Sequence, residues 1–229
     1  MKIIKSENLF ASDKGGIKSK YLFSFGEYLD HSNMNLWHVR VMNDDIIEAK
    51  SGVPMHPHNY YEVVTVMLDG EMTHEDNFGN KETLGKNQIQ VMNTGSGIEH
   101  SEMNNGSKNV KMYQLWLAPG TVVPQPSYYT AKYKPKDIKN NLYKIATGIE
   151  GDEAENTLIS PVSIHRWIFD EGESVTISYE KHILVYVTSG EAALWANIIS
   201  KNDQLINSLW GTVTLNFNKK TEIFVILSN

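Results

Sequence analysis

MHPHNYYEVVTVMLDG, residues 55–70, sets His56 and His58 one residue apart at the head of a β-branched run that closes on Asp69-Gly70. Val63, Val64, Thr65 and Val66 favour a pleated, buried strand, and Asp-Gly is a strong signal for a tight hairpin turn. Side chains alternate along a strand, so His56 and His58 project to one face about 6.5 Å apart along the backbone. Pro57 between them suits a strand start or an edge and fixes φ, which stiffens the pair. The same spacing returns in TGSGIEHSEMN, residues 94–104, where His100 and Glu102 follow a glycine-rich turn. Two such pairs on facing strands of a barrel make a site of three nitrogens and one oxygen.

Working outward, residues 61–68, 88–92, 110–117, 174–179, 183–187 and 221–227 are short and rich in Val, Ile, Tyr and Trp, and read as strands. Turn residues separate them at Asp69-Gly70, Asn77–Asn80, Ser189-Gly190 and Asn218–Lys220. No 12-residue window carries a helical apolar stripe, so helices are expected to be few and short. The fold class is all-β, a barrel or sandwich.

Pro119, Pro124, Pro126 and Pro135 fall in a stretch without sustained periodicity, which reads as a connector over residues 121–141. It divides the chain into residues 1–120 and 142–229. The halves echo one another: VMLDGEMTHEDN at 66–77 lies over YVTSGEAALWAN at 186–197 when Gly70 is set on Gly190. That suggests a duplicated barrel, although a strand-Gly-Glu-strand hairpin also recurs by chance. The same alignment sets Thr176, Ser178 and His182 against His56, His58 and Glu62, so the second barrel is expected to be degenerate and without metal.

Composition narrows the chemistry. The chain has 229 residues, 41% hydrophobic and 21% charged, with no apolar run long enough for a membrane span. MKIIKSENLF at the start is broken by Lys5, Ser6 and Glu7 and has no secretory apolar segment, so a cytoplasmic location is expected. Cysteine is absent, which removes disulfides, thiolate nucleophiles and thiolate metal ligands. The net charge of −6 with scattered lysines offers no basic face for nucleic acid. Any metal therefore sits on nitrogen and oxygen. Imidazole with carboxylate suits a divalent first-row ion, Fe, Mn, Co, Ni, Cu or Zn. Of eight histidines, three fall in the two paired motifs and the other five show no such spacing.

GVPMHPHNYYEVVTVMLDGEMTHEDNFGN, followed by TGSGIEHSEMN and MYQLWLAP, resembles the pirin family, whose first barrel carries HPHxxxExVTxxLxGxxxHxDxxGN and then a glycine-rich turn leading to HSE. The similarity extends upstream to FSFGEYLD at 23–30 and VRVMNDDIIEAKSG at 39–52 and is faint beyond the connector. The resemblance implies two cupin-type barrels and an iron-type divalent metal on His56, His58, His100 and Glu102. In several bacterial members it also implies a quercetinase-like flavonol dioxygenase. It departs from the family at Asn59-Tyr60-Tyr61, where an Arg or Lys with a Gly is common, and the two tyrosines are expected near the pocket mouth.

Glu62, four residues past His58, is expected by strand parity to face the barrel interior, either orienting a histidine or displaced by a bulge. His74 and Asp76 flank the Asn77–Asn80 turn and are expected to serve it. MYQLWL at 112–117 is expected to pack in the core. The leading functional expectation is a metal-dependent dioxygenase acting on a flavonol or related small aromatic with O2, with Glu102 as the catalytic carboxylate that takes the phenolic proton. The alternative is a metal-dependent, redox-sensing regulatory protein that binds a protein partner and does not turn over.

Overall fold

Thr65 lies opposite Gln114 on one side and Gln90 on the other, in the middle of an antiparallel sheet. The computed structural model describes residues 1–120, 125–134 and 138–228, so Pro124 and Pro135 of the expected connector lie outside the described residues. The chain forms two compact units, Phe10–Tyr133 and Met1–Leu9 with Lys134–Asn229. Each is a cupin-type barrel of β-strands.

The strands in chain order are β1 (Lys2–Ile4), β2 (Phe10–Lys14), β3 (Ile17–Tyr21), β4 (Val39–Ile47), β5 (Gly52–His58), β6 (Glu62–Asp69), β7 (Glu71–Asp76), β8 (Lys81–Gly85), β9 (Gln88–Asn93), β10 (Ile98–Met103), β11 (Val110–Leu117) and β12 (Ser127–Lys132). They continue as β13 (Lys144–Thr147), β14 (Asn156–Thr157), β15 (Val162–Phe169), β16 (Ser174–Tyr179), β17 (His182–Ser189), β18 (Glu191–Leu194), β19 (Asn197–Ser200), β20 (Gln204–Asn207), β21 (Gly211–Phe217) and β22 (Thr221–Ser228). A short 3-10 turn spans Ser6–Asn8. No helix among the described residues is long and apolar enough to cross a membrane.

The first barrel pairs a sheet in the order β12-β9-β6-β11-β4-β3-β2 with a smaller one, β5-β10-β7-β8; the second pairs β1-β20-β17-β22-β15-β13-β14 with β16-β21-β18-β19. The order of the inner strands matches, β9-β6-β11-β4 against β20-β17-β22-β15 and the whole of each small sheet, which makes the second barrel a repeat of the first; the outer strands differ, since β14 joins β13 in parallel where β2 joins β3 antiparallel. Gly70 and Gly190 hold the same hairpin position at φ 79° and 83°. A Cβ on Gly70 would lie 2.6 Å from the Asn109 carbonyl oxygen, and one on Gly190 2.4 Å from that of Lys220. Only glycine meets both demands.

The boundaries differ from those read in the sequence. β1 pairs with β20, so the first nine residues belong to the second barrel. Lys5 Nζ donates to Asp203 Oδ2 at 2.8 Å and the Ser6 amide to Asp203 Oδ1 at 2.8 Å, which anchors the segment there. Likewise β12, inside the expected connector, pairs with β9 as part of the first barrel. Long-range strand addition of this kind leaves no local signal.

Register explains why one barrel holds a polar site and the other a core. Across the first barrel, Asn43, Gln114, Thr65 and Gln90 form one cross-strand row. The corresponding row of the second barrel is His165, Val225, Val185 and Leu205. His56 lies opposite His100, and Ile177 opposite Val213. His58 lies opposite Ile98, and Tyr179 opposite Gly211. By the same register, Glu102 corresponds to Leu215 and His74 to Leu194. Ile177, Tyr179, Leu194, Val213 and Leu215 all belong to the buried cluster that also takes in Trp167, Phe169 and Phe217. These residues, rather than Thr176 and Ser178, match the histidines, because twelve positions separate His58 from Gly70 and eleven separate Tyr179 from Gly190.

Candidate metal centre

β5, the edge strand of the small sheet, pairs antiparallel with β10, and their register sets His56 directly across from His100. His58, two residues on along β5, shares their face. The three rings form a triangle with centroid separations of 4.7 Å for His56–His58, 4.4 Å for His56–His100 and 4.8 Å for His58–His100. One ligand nitrogen from each lies within 4.8 Å of the others. His58 and His100 are buried and His56 half-buried.

Hydrogen bonds to the far side of the His56 and His100 rings set which of their nitrogens points inward. His56 Nδ1 donates to the Pro54 carbonyl at 2.8 Å, leaving Nε2 with a lone pair. His74 Nε2 lies 3.3 Å from Asp76 Oδ2 and His74 Nδ1 lies 3.4 Å from His100 Nδ1. With His74 donating to the carboxylate, its Nδ1 accepts from His100, and His100 Nε2 is left bare. His58 Nε2 and His100 Nε2 are both buried with no hydrogen-bond partner among the described residues. Such nitrogens are costly to bury without a donor or a cation.

Electrostatics agree with a neutral, ligating state. Burial, followed by the neighbouring His100 and His56, lowers the His58 pKa to about 4. Burial, followed by His56 and His74, lowers that of His100 to about 3. Both imidazoles are therefore unprotonated at neutral pH, as a metal ligand must be. Donor set, lone-pair direction and protonation together fit a divalent cation.

Glu102 lies on the same strand as His100 beyond a register shift, buried and outside the close histidine group. Gln114 Nε2 donates to its Oε2 at 2.7 Å and to its Oε1 at 2.9 Å, and Thr65 Oγ1 to Oε1 at 3.4 Å. Trp116 Nε1 donates to Gln114 Oε1 at 3.3 Å, which fixes the amide with its NH2 toward the carboxylate. Trp116 also sets its ring edge-on to His58, 4.6 Å between centroids.

His56, His58, Glu102, Gln114 and Trp116 line one cavity of about 460 Å³, a size ordinary for small-molecule sites. Trp116 is thus a cavity wall, where the sequence suggested only core. Glu62 corrects another expectation. It lies on the face of β6 opposite to Thr65, because Tyr60, at φ 61°, breaks the extended chain between His58 and Glu62 and parity does not carry across. Tyr60 and Tyr61 are absent from the cavity wall; Tyr61 packs on Trp116 at 5.6 Å. Asp76 serves its turn as expected, accepting from the Phe78 and Asn80 amides at 3.0 Å each. His74, by contrast, also reaches His100. Gln114 carried no sequence signal, since its importance comes from the strand it faces.

Comparison with known proteins matches residues 4–117 to the Pirin family model. A pirin-like protein of Caulobacter vibrioides is 31% identical over 196 residues, covering 86% of this chain and 84% of its own. The chain belongs to the pirin family. Quercetin 2,3-dioxygenase of Escherichia coli K12 is 28% identical over 219 residues, 94% of this chain and 92% of its own. The bacterial pirin YhhW of Escherichia coli, solved in complex with nickel(II), superposes with a TM-score of 0.90 at 25% identity, over 99% of this chain and 98% of that one. A pirin fold thus carries a divalent metal in a relative, and this chain has a three-histidine group that could hold a metal ion.

Proposed function

We propose that this pirin is a metal-dependent dioxygenase that cleaves a flavonol, or a closely related hydroxylated aromatic, with O2. In that reaction both oxygen atoms enter the organic product, a depside, and one ring carbon leaves as carbon monoxide. The observation that carries the reading is the pair of buried, unpartnered Nε2 atoms on His58 and His100, of which His58 lines a cavity that Glu102 also lines. The names of the 28%-identical relatives support the same substrate class.

His56, His58 and His100 would hold the ion, with Glu102 available as the accompanying carboxylate. A divalent ion there, Fe(II) in our reading, would supply Lewis acidity toward the substrate's oxygens and a path for electrons to O2. The chain's own residues do the rest. Glu102, held by Gln114 and Thr65, takes the proton of the flavonol hydroxyl as it enters, which raises electron density on the ring that meets oxygen. Trp116 and Phe25, in edge contact at 5.1 Å, shape an apolar wall for an aromatic ligand.

The test follows loss of the flavonol absorption band and oxygen uptake for protein loaded in turn with iron, manganese, cobalt and nickel, against His56→Ala. At least one loaded form should exceed the variant clearly. Equality across all metals and several flavonols would remove the oxygenase reading.

A further inference from the structure

Beyond the histidines, the cavity has a second polar floor that metal binding leaves unused. Asn43 and Asp45 sit on one face of β4, two residues apart, and both line the cavity. They are 3% and 6% exposed. The Oδ1 atom of each is buried without a hydrogen-bond partner among the described residues. Asn43 faces Gln114 across the strands, and Gln114 holds Glu102, so this floor is one strand removed from the catalytic carboxylate. Ser19 lies opposite Asp45 in register and donates to it, which leaves Oδ1 as the open acceptor.

Two bare acceptors side by side in a buried wall are unusual, because a buried oxygen without a donor has given up its hydration for nothing. Apolar residues would be cheaper; the second barrel indeed places Trp167 at the position of Asp45 and fills its interior. A ligand carrying hydroxyl donors would satisfy both atoms. Adjacent same-face positions on a strand stand about 6.5 Å apart and neighbouring strands about 4.8 Å. An aromatic gripped at Glu102 can therefore extend a second, hydroxylated ring over β4.

We propose that Asn43 and Asp45 form a specificity subsite that accepts hydrogen bonds from hydroxyl substituents on the part of the substrate remote from the metal-facing end. The subsite selects polyhydroxylated over unsubstituted aromatics. This rests on the flavonol reading above and deepens it.

The experiment is anaerobic calorimetric titration of nickel-loaded protein with quercetin and with 3-hydroxyflavone, which share the 3-hydroxy-4-keto pair and differ in the other hydroxyls. The wild type should bind quercetin at least about tenfold more tightly, the discrimination one or two buried hydrogen bonds supply. In Asn43→Leu and Asp45→Leu the preference should shrink to about threefold or less, with 3-hydroxyflavone affinity and nickel content unchanged. Asp45→Asn, which keeps an acceptor oxygen, should retain it. Equal affinities in the wild type, or a preference that survives in both leucine variants, would overturn the subsite alone. Failure of both flavonols to bind would overturn the subsite and the flavonol reading together.

Discussion

Gln114 donates through Nε2 to both carboxylate oxygens of Glu102, at 2.9 and 2.7 Å, and is itself oriented by Trp116. The carboxylate is thus positioned by a strand of the other sheet of its barrel. It stands outside the close triangle of His56, His58 and His100.

On the proposed reading this arrangement would separate metal retention from proton transfer. Glu102→Gln is expected to keep about one ion per chain while flavonol turnover falls by about 100-fold or more, the scale of a lost general base. Gln114→Leu leaves the buried carboxylate short of donors; it should lower the melting temperature and reduce turnover while retaining metal. Elemental analysis beside the absorption assay checks both. Complete metal loss in Glu102→Gln would make the carboxylate an indispensable ligand instead.

The histidines should behave in the opposite way. His58→Ala and His100→Ala each remove a buried lone pair from a three-nitrogen set and are expected to lose the ion. His74→Ala should keep the stoichiometry but weaken affinity by about 10- to 100-fold, since His74 contacts His100 Nδ1 and links it to Asp76. Competition with a chromophoric chelator measures the difference. Unchanged affinity in His74→Ala would restrict that residue to the turn.

What the sequence made legible follows from range. HPH lies on a strand, where a spacing of two gives His56 and His58 a shared face; that His100 joins them depends on the pairing of β5 with β10, which the spacing alone does not contain and the family resemblance implied. The hairpin glycines, Gly70 and Gly190, likewise announced the repeat. Gln114, Asn43 and Asp45 were silent, because their importance depends on which residues stand across from them. Glu62 misled for the converse reason: parity holds only while the chain stays extended, and Tyr60 interrupts it. The addition of β1 to the second barrel joins residues some two hundred positions apart, beyond any local pattern.

The repeat hairpin offers a test of backbone demand. Gly190 and Gly172 both have left-handed φ, 83° and 85°, but a Cβ at Gly172 meets nothing within 4 Å, whereas one at Gly190 would press on Lys220 and Thr221. Gly172→Ala should cost about 1–2 kcal/mol, the left-handed penalty alone. Gly190→Ala should cost more, because the strand end must also move. Denaturant unfolding of the two variants compares them, and equal losses would mean that the close approach carries no weight.

Two buried groups should tilt the pH dependence of folding in opposite directions. Burial, then the charge of Lys144, depresses the His165 pKa to about 3 in the folded chain from an unfolded value near 6.5. Between those values the unfolded chain binds the proton and the folded one does not, so the stability present above about pH 6.5 is lost as pH falls toward 3. Burial raises Asp45 from 3.8 to about 7, with the Ser19 hydrogen bond opposing and the charges of Glu102 and Asp44 adding to the rise. There the folded chain holds the proton longer, and stability present below about pH 4 is lost as pH rises to 7. In metal-free protein, His165→Asn, the residue type found at the matching Asn43, should flatten the acid-side decline relative to wild type. Asp45→Asn should remove the loss on the rising side. The limit for each is about 1.4 kcal/mol per pH unit, and His58 and His100 contribute equally to all three proteins. Denaturant midpoints from pH 4 to 8 read the slopes. Parallel curves for wild type and His165→Asn would mean that the ring is protonated or solvated in the folded barrel.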